Sequence, residues 1–225
     1  KLKKHKNKKR FNQFISNKRN ALLILPRYNH NQSRSLVDII DVRKFEVIHT
    51  YKHDISSMND KVQNIKEFSS IKIDNAPVRF KYWHPLVLDD GSLISFGDNA
   101  PIFKIDFCSN LEWLNDEEIF HHSLNLDHEN NIWAGGKKNP KSKNLNEYAI
   151  KGFSDDSIIK INTDGKILYN KSVIEILIEN KIFPNNFAFT QKLLNETDPI
   201  HLNDIEPALN NSKYWKKGDV FLSAR

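Results

Sequence analysis

Apolar residues along this chain come in short runs, four to eight long, broken by turn-forming residues. ALLILPRY (21–28), SLVDIIDV (35–42) and FEVIHTYK (45–52) are rich in β-branched and aromatic side chains, and each predicts a strand. HDISSMNDKVQNIKEFSS, just after them, is less patterned and reads as a loop or a helical turn. From residue 83 the pattern repeats. WHPLVLDDGSLISFG (83–97) and HHSLNLDHENNIWAG (121–135) align at an offset of 38, with His84 on His122, Leu86 on Leu124, Asp89 on Asp127 and Gly97 on Gly135. PIFKIDFCSNLEWLN (101–115) aligns with SIIKINTDGKILYNK (157–171) at an offset of 56. Each segment reads as strand, Asp/Asn/Gly turn, strand, which is the signal of a hairpin.

Two hairpins make a four-stranded unit, first over about 83–115 and again over about 121–171. Sheets of this size repeated along a chain are the mark of a β-propeller, because one unit cannot bury both its faces alone. The expected fold is therefore all-β, with about three to four blades over residues 20–225. KKNPKSKNLNEYAIKGF reads as a surface loop inserted in the second unit. SVIEILIENKI (172–182) predicts an amphipathic helix with Val173, Ile176, Leu177 and Ile182 on one side; a strand is the rival assignment.

Charge changes the picture only at one end. The net charge of +6 suggests an anionic partner, but KLKKHKNKKR holds seven Lys/Arg and no acid, leaving 27 basic against 28 acidic groups elsewhere. Residues 1–19 are thus a basic tail on a near-neutral domain. Such a tail reads first as a solvated linker, then as a juxtamembrane stretch beside an anchor upstream, and last as a nucleic-acid arm, for which no recognition motif is present. No nucleic-acid partner is expected. The non-Met start and the strand-like VFLSAR end suggest a piece of a longer chain. The single Cys108 offers neither a disulfide framework nor a thiolate metal cluster, and is expected to be inert packing. Trp83, Trp113 and Trp133 recur in the repeat and read as packing residues, while Trp215 lies in a polar insertion where it could act as a lid.

The candidate chemistry lies in histidine. His84, His122 and His201 each open a hairpin, and in a propeller equivalent blade positions meet at the central axis. Imidazoles gathered there can bind an anion or attack an electrophile; each can also simply cap a strand. None of these three belongs to an H-x-H or H-x-x-x-H pair, so a metal is not expected. In an extended strand the rings of His121 and His122 point to opposite faces.

The stretch DPIHLNDIEPAL…KGDVFLSAR, with His201-x-Asn203 and Ser223-x-Arg225, resembles the bacterial arylsulfotransferase family that needs no nucleotide sulfate donor. The His121-His122 pair and the phrase DSIIKINTDGKILY are similar to that family as well. The resemblance implies a six-bladed propeller that moves a sulfuryl group from a phenolic sulfate ester to a phenol acceptor through a histidine intermediate, without a cofactor. It gives supporting catalytic roles to His122, His201 and Arg225, and substrate-binding roles to His84, His121 and Asn203. It puts the sulfated histidine in the blade after Arg225. It also implies a periplasmic or membrane-anchored home. Two features depart from the family pattern: Ser123 follows the His pair where an acid is frequent, and NNSKYWKKG lengthens the segment before Arg225. The other reading is a non-catalytic propeller that binds an anionic ligand or a protein partner.

Overall fold

A computed structural model describes residues 17–139, 142, 154–182, 198 and 200–224. The basic run 1–10, most of the 137–153 insertion and Arg225 lie outside the described residues.

The first three predicted strands form as expected. β1 (Leu22–Asn29), β2 (Arg34–Asp41) and β3 (Glu46–Tyr51) make an antiparallel sheet in that order. β2 is buried on both faces, with Leu36, Val37, Ile39 and Ile40 all inside, which is why its apolar run is continuous rather than alternating. Two short helices follow, α1 (Ile55–Asn59) and α2 (Ile71–Asp74). Asp54 caps α1 by accepting from the N–H groups of Ser56 and Ser57.

Next comes a seven-stranded antiparallel meander: β4 (Trp83–Val87), β5 (Leu93–Phe96), β6 (Ala100–Ile105), β7 (Leu111–Leu126), β8 (Ile132–Lys137), β9 (Asp156–Ile161) and β10 (Ile167–Ser172). Four of its turns share one hydrogen-bonding plan. In each, the first residue bonds back to the fifth, and the fourth residue donates to the first: 88–92, 106–110, 127–131 and 162–166. The fourth residue is left-handed in every case, namely Gly91, Ser109, Asn130 and Gly165, at φ 77°, 70°, 62° and 83°. Glycine or a small polar residue therefore belongs at that place. In three of the turns the first residue is Asp or Asn, and its side chain accepts from the turn N–H groups (Asp106, Asp127, Asn162).

β7 is shared by both halves of this sheet. It pairs with β6 from Ile105↔Leu111 to Ile102↔Asn115 and, past a register shift, at Ala100↔Phe120; it pairs with β8 from Ile119↔Lys137 to Leu126↔Ile132. Leu93, Phe103 and Ile105 pack against Val37, Ile39 and Tyr51 of the first sheet. Ile94, Phe96 and Ile102 pack against Phe120, Ile132, Ile159 and Ile161. The meander thus bends at β7, and its two four-stranded halves stack face to face.

α3 (Val173–Glu179) follows, with Ser172 as N-cap accepting from the Glu175 N–H. It is the predicted helix, but it buries Val173 and Ile174, while Ile182 lies past its end and is exposed. The expected stripe assumed eleven helical residues; the helix stops after seven, so Ile182 is out of phase. The last sheet pairs β11 (Leu202–Pro207) with β12 (Val220–Ala224), and Ile158, Val173, Ile200, Leu202 and Ile205 form the core beneath it. β1, β4, the end of β7 and β11 neighbour one another in sequence order, as first strands of successive stacked sheets. The fold is all-β with stacked antiparallel sheets, and no closed ring forms among the described residues. No described helix is long and apolar enough to cross a membrane.

Cys108 corrects an expectation: it is exposed in the 106–110 turn rather than packed. Trp113 and Trp133 are packing residues as expected, with indole N–H groups bonded to the Thr163 carbonyl and the Asp127 carboxylate. Trp215 rests edge-on against Phe221 of its own hairpin, 5.4 Å between ring centres.

Phe103 is fully buried where the first sheet meets the second. Phe103→Ala should cost about 3–5 kcal/mol through lost burial and a residual cavity. Urea denaturation should show that drop, and a far smaller one for Leu168→Ala, whose side chain is half exposed.

Candidate functional site

The three in-register histidines share a backbone feature the pattern of residues does not announce. His84, His122 and His201 all have left-handed φ, at 40°, 66° and 48°. Each sits at or beside a break in strand register: between Trp83 and Leu86, between His121 and Leu124, and just before the break at Leu202 and Asp204. A non-glycine residue in this region costs of order 1–3 kcal/mol and persists only where its surroundings over-determine it. Three such positions at equivalent points of a repeat make the site.

The bulge at His122 overturns one expectation. The rings of His121 and His122 do not part to opposite faces; their centres lie 4.7 Å apart, edge to face. The left-handed residue adds a turn to the strand and swings the second ring back to the first. The His122 ring then meets His201, 5.3 Å away, and the edge of Trp83, 6.2 Å away. His84 is exposed and reaches the group through Trp83, whose ring it overlies at 6.5 Å. Asn203 is exposed on β11, beside the register break. Arg225 lies outside the described residues. The structure therefore brings together His121, His122 and His201, with His84 at the margin.

Side chains between strands hold this geometry. Ser123, where an acid is frequent in the family pattern, accepts from the Ile205 N–H at 3.2 Å. Asn125 donates to Asp204 Oδ1 at 3.0 Å and to the Ile205 carbonyl at 2.9 Å. β7 and β11 are thus laced side by side, which sets the distance between His122 and His201. Gly135 pairs with His121, and a Cβ there would come 2.9 Å from the His121 carbonyl, so only glycine allows this approach.

Two carboxylates complete the site, and sequence reasoning missed both. Asp198 Oδ2 is 2.6 Å from His201 Nδ1, and its Oδ1 accepts from the His201 N–H at 3.2 Å. With Nδ1–H donated to Asp198, His201 keeps a bare Nε2. An acid three residues before a histidine in DPIH was a readable signal for this contact. Asp156 on β9 is 1% exposed. Its Oδ2 accepts from the Leu202 N–H at 2.8 Å, and its Oδ1 lies 3.7 Å from His121 Nε2. The same Nε2 donates to the Gly136 carbonyl at 3.2 Å, so the proton of His121 is on Nε2.

Burial governs the charges. It pushes His121 down to about 4, helped by His122 and Lys137. Burial also lowers His122, with the neighbouring His201 charge second. Asp156 is raised to about 6, again chiefly by burial. At about 4, His121 is uncharged at neutral pH, and burial favours the uncharged form of His122, the form that accepts protons and attacks electrophiles. Among the described residues no cluster of His, Cys, Asp and Glu has the makings of a metal site. Beside Trp83 a hollow of about 470 Å³ opens, lined by Ile24, Pro26, Trp83, Pro85 and His84, with Lys81 as its cationic edge.

His121 and Asp156 affect stability in opposite senses over one pH window. His121, depressed from 6.5 to about 4, binds more protons unfolded than folded there, so its term raises stability as pH rises through that range. Asp156, raised from 3.8 to about 6, binds more protons folded, so its term lowers stability as pH rises. In the native protein the two terms offset. Relative to wild type, Asp156→Asn should gain stability from pH 4 to 6, and His121→Gln should lose it. Urea titrations at several pH values measure both slopes; parallel curves for all three proteins would refute the assignment.

Comparison with known proteins bears on the same residues. No curated protein matches the chain. The family model Arylsulfotransferase (ASST) matches residues 84–225, which begins at the first of the left-handed histidines and covers well over half of the chain. The chain belongs to the arylsulfotransferase (ASST) family.

Proposed function

We propose that the protein transfers a sulfuryl group from a phenolic sulfate ester to a phenol, with His122 and His201 facing the group in transit. The observation that carries this reading is the meeting of those two rings, 5.3 Å apart, from separate sheets. We propose with it that the stacked sheets are blades of a propeller whose inner strands are β1, β4, the end of β7 and β11. The adjacency of those strands supports this.

The chemistry follows from charge. Sulfuryl transfer, like phosphoryl transfer, spreads negative charge over equatorial oxygens, and catalysis is mostly positioning and electrostatic stabilisation. The donor's aryl S–O bond breaks as a nitrogen–sulfur bond forms on a nucleophilic imidazole, which family resemblance puts beyond Arg225. The phenolate departs as its anion. The acceptor phenol then gives its proton to the bare Nε2 of His201 as its oxygen takes the sulfuryl group and the nitrogen–sulfur bond breaks, and His201 passes that proton on to the released phenolate or to solvent. His201 suits the proton-shuttling role, since Asp198 holds Nδ1 and leaves Nε2 free to exchange. Arg225 supplies a planar fork of donors for the sulfuryl oxygens. His84, His121 and Asn203 bind around it, and the hollow beside Trp83 has the apolar wall and cationic edge an aryl sulfate needs. No cofactor takes part. Export to the periplasm or to a membrane surface accords with the family and with the basic tail.

The test uses the intact protein with 4-methylumbelliferyl sulfate as donor and phenol as acceptor. His122→Ala and His201→Ala should each lower kcat by about 10²–10³, the usual loss for one stabilising donor at developing oxyanion charge. Turnover unchanged in both variants would sink the assigned roles. Binding of aryl sulfate with no turnover by the wild type would favour a ligand-binding module instead.

A further inference from the structure

Asp156 is a buried carboxylate that the proposed chemistry does not use. It belongs to β9, yet its two oxygens touch the two strands that carry the imidazoles. Oδ2 accepts from the N–H of Leu202, the residue after the left-handed His201. Oδ1 faces His121 Nε2 at 3.7 Å, and His121 in turn packs edge-on against His122. We propose that Asp156 is the positioning residue of the imidazole pair, fixing His122 through the ring of His121 and His201 through the backbone at Leu202. The proposal rests on the sulfuryl-transfer reading for its kinetic consequence and on geometry alone for its structural one.

Stability does not explain Asp156. Its carboxyl is 1% exposed, and burial raises it to about 6, so ionisation at neutral pH is costly. The groups around it are His121 and His122 on β7, Lys137 on β8, Ser154 before β9, and Asp198 beside β11. Asp198 opposes its charge and Lys137 favours it. Asparagine would keep an oxygen for the Leu202 N–H without that cost. A carboxylate kept where a neutral amide would be at least as stable points to a requirement of the site. Negative charge at Oδ1 adds to the Gly136 carbonyl in holding the proton of His121 on Nε2, which leaves Nδ1 bare and sets the ring plane that His122 meets.

The decisive variant is Asp156→Asn in the intact protein, with Asp156→Ala as the harsher control. Two readouts are taken: turnover of 4-methylumbelliferyl sulfate over pH 5–9, and the imidazole ¹⁵N shifts of His121 at pH 7. Asp156→Asn should fold with an unchanged Tm or a higher one at pH 7. Its kcat should fall on the order of 10²-fold, as expected for misplaced reacting groups, with KM within about twofold. The ¹⁵N shifts should change from a single Nε2–H form to a mixture of tautomers. Asp156→Ala should lower Tm as well, because the Leu202 N–H loses its acceptor. Wild-type kcat and pH profile in Asp156→Asn overturn the proposal and leave sulfuryl transfer standing. If the wild type turns over no aryl sulfate, that reading fails, and the ¹⁵N shifts decide alone. A tautomer mixture in the variant upholds the positioning role; one fixed tautomer in both proteins overturns it.

Discussion

A strand shared by two halves of one sheet is the constraint from which the rest follows. β7 closes one four-stranded half by pairing with β6 from Leu111 to Phe120 and opens the next by pairing with β8 from Ile119. A flat seven-stranded sheet would leave both broad faces in water. Bending at β7 instead folds Ile94, Phe96 and Ile102 onto Ile132, Ile159 and Ile161, so both halves bury the faces they share. At about 25 cal/mol per Å² of apolar surface, that stacking is the main stabilising contribution available to the pair. The bend also decides the site. It brings the second half of β7 beside β4 on one flank and β11 on the other, and His122 stands where the three strands meet.

Left-handed backbone at a bulky side chain occurs singly at Phe45 and Lys181, but around His122 it recurs at three imidazole-bearing residues. Left-handed backbone is taken by Gly, Asn or Ser in the four hairpin turns, where the conformation is cheap, but by imidazole-bearing residues at three strand openings, where it is not. A buried carboxylate lies beneath, and the same burial that penalises that carboxylate holds His121 neutral. Strain and desolvated charge gathered in one place do not raise stability. They are the expected cost of holding imidazole rings in fixed orientations.

How much of this was readable in the residues depends on whether a feature is local. The hairpins were legible because Asp, Asn and Gly recur at fixed turn positions and the turns need them there. The helix after Ser172 was legible as well, though its end was not, since no glycine or proline marks it. The 38-residue offset that puts His84 on His122 was legible, and both residues prove to share a left-handed backbone. Strand alternation, by contrast, misplaced His121 and His122 relative to each other, because a bulge resets the period of two and leaves no mark in HHS itself. Asp198 could have been read from its place three residues before His201. Asp156 could not: its contacts cross from β9 to β7 and β11, and such contacts exist only once sheets have stacked. Cys108 was expected to pack, but IDFCSN leaves its strand at Ile105 and puts the cysteine in the exposed turn that follows.

The departures from the family pattern look different beside the contacts that replace them. Ser123 stands where an acid is frequent, and a lost carboxylate next to a histidine pair suggests lost chemistry. The site, however, still holds acids. Asp198 takes His201 and Asp156 sits at His121, each through direct geometry. Ser123 meanwhile does work a carboxylate could share only at a high cost of burial: 3% exposed, it accepts the Ile205 N–H and locks β11 to β7. A neutral hydroxyl there satisfies a buried donor without adding a third negative charge beside Asp156 and Asp198, which it would repel. On the proposed sulfuryl-transfer reading, the serine also keeps the field around the imidazoles compatible with an anionic group, which an acid at that position would oppose.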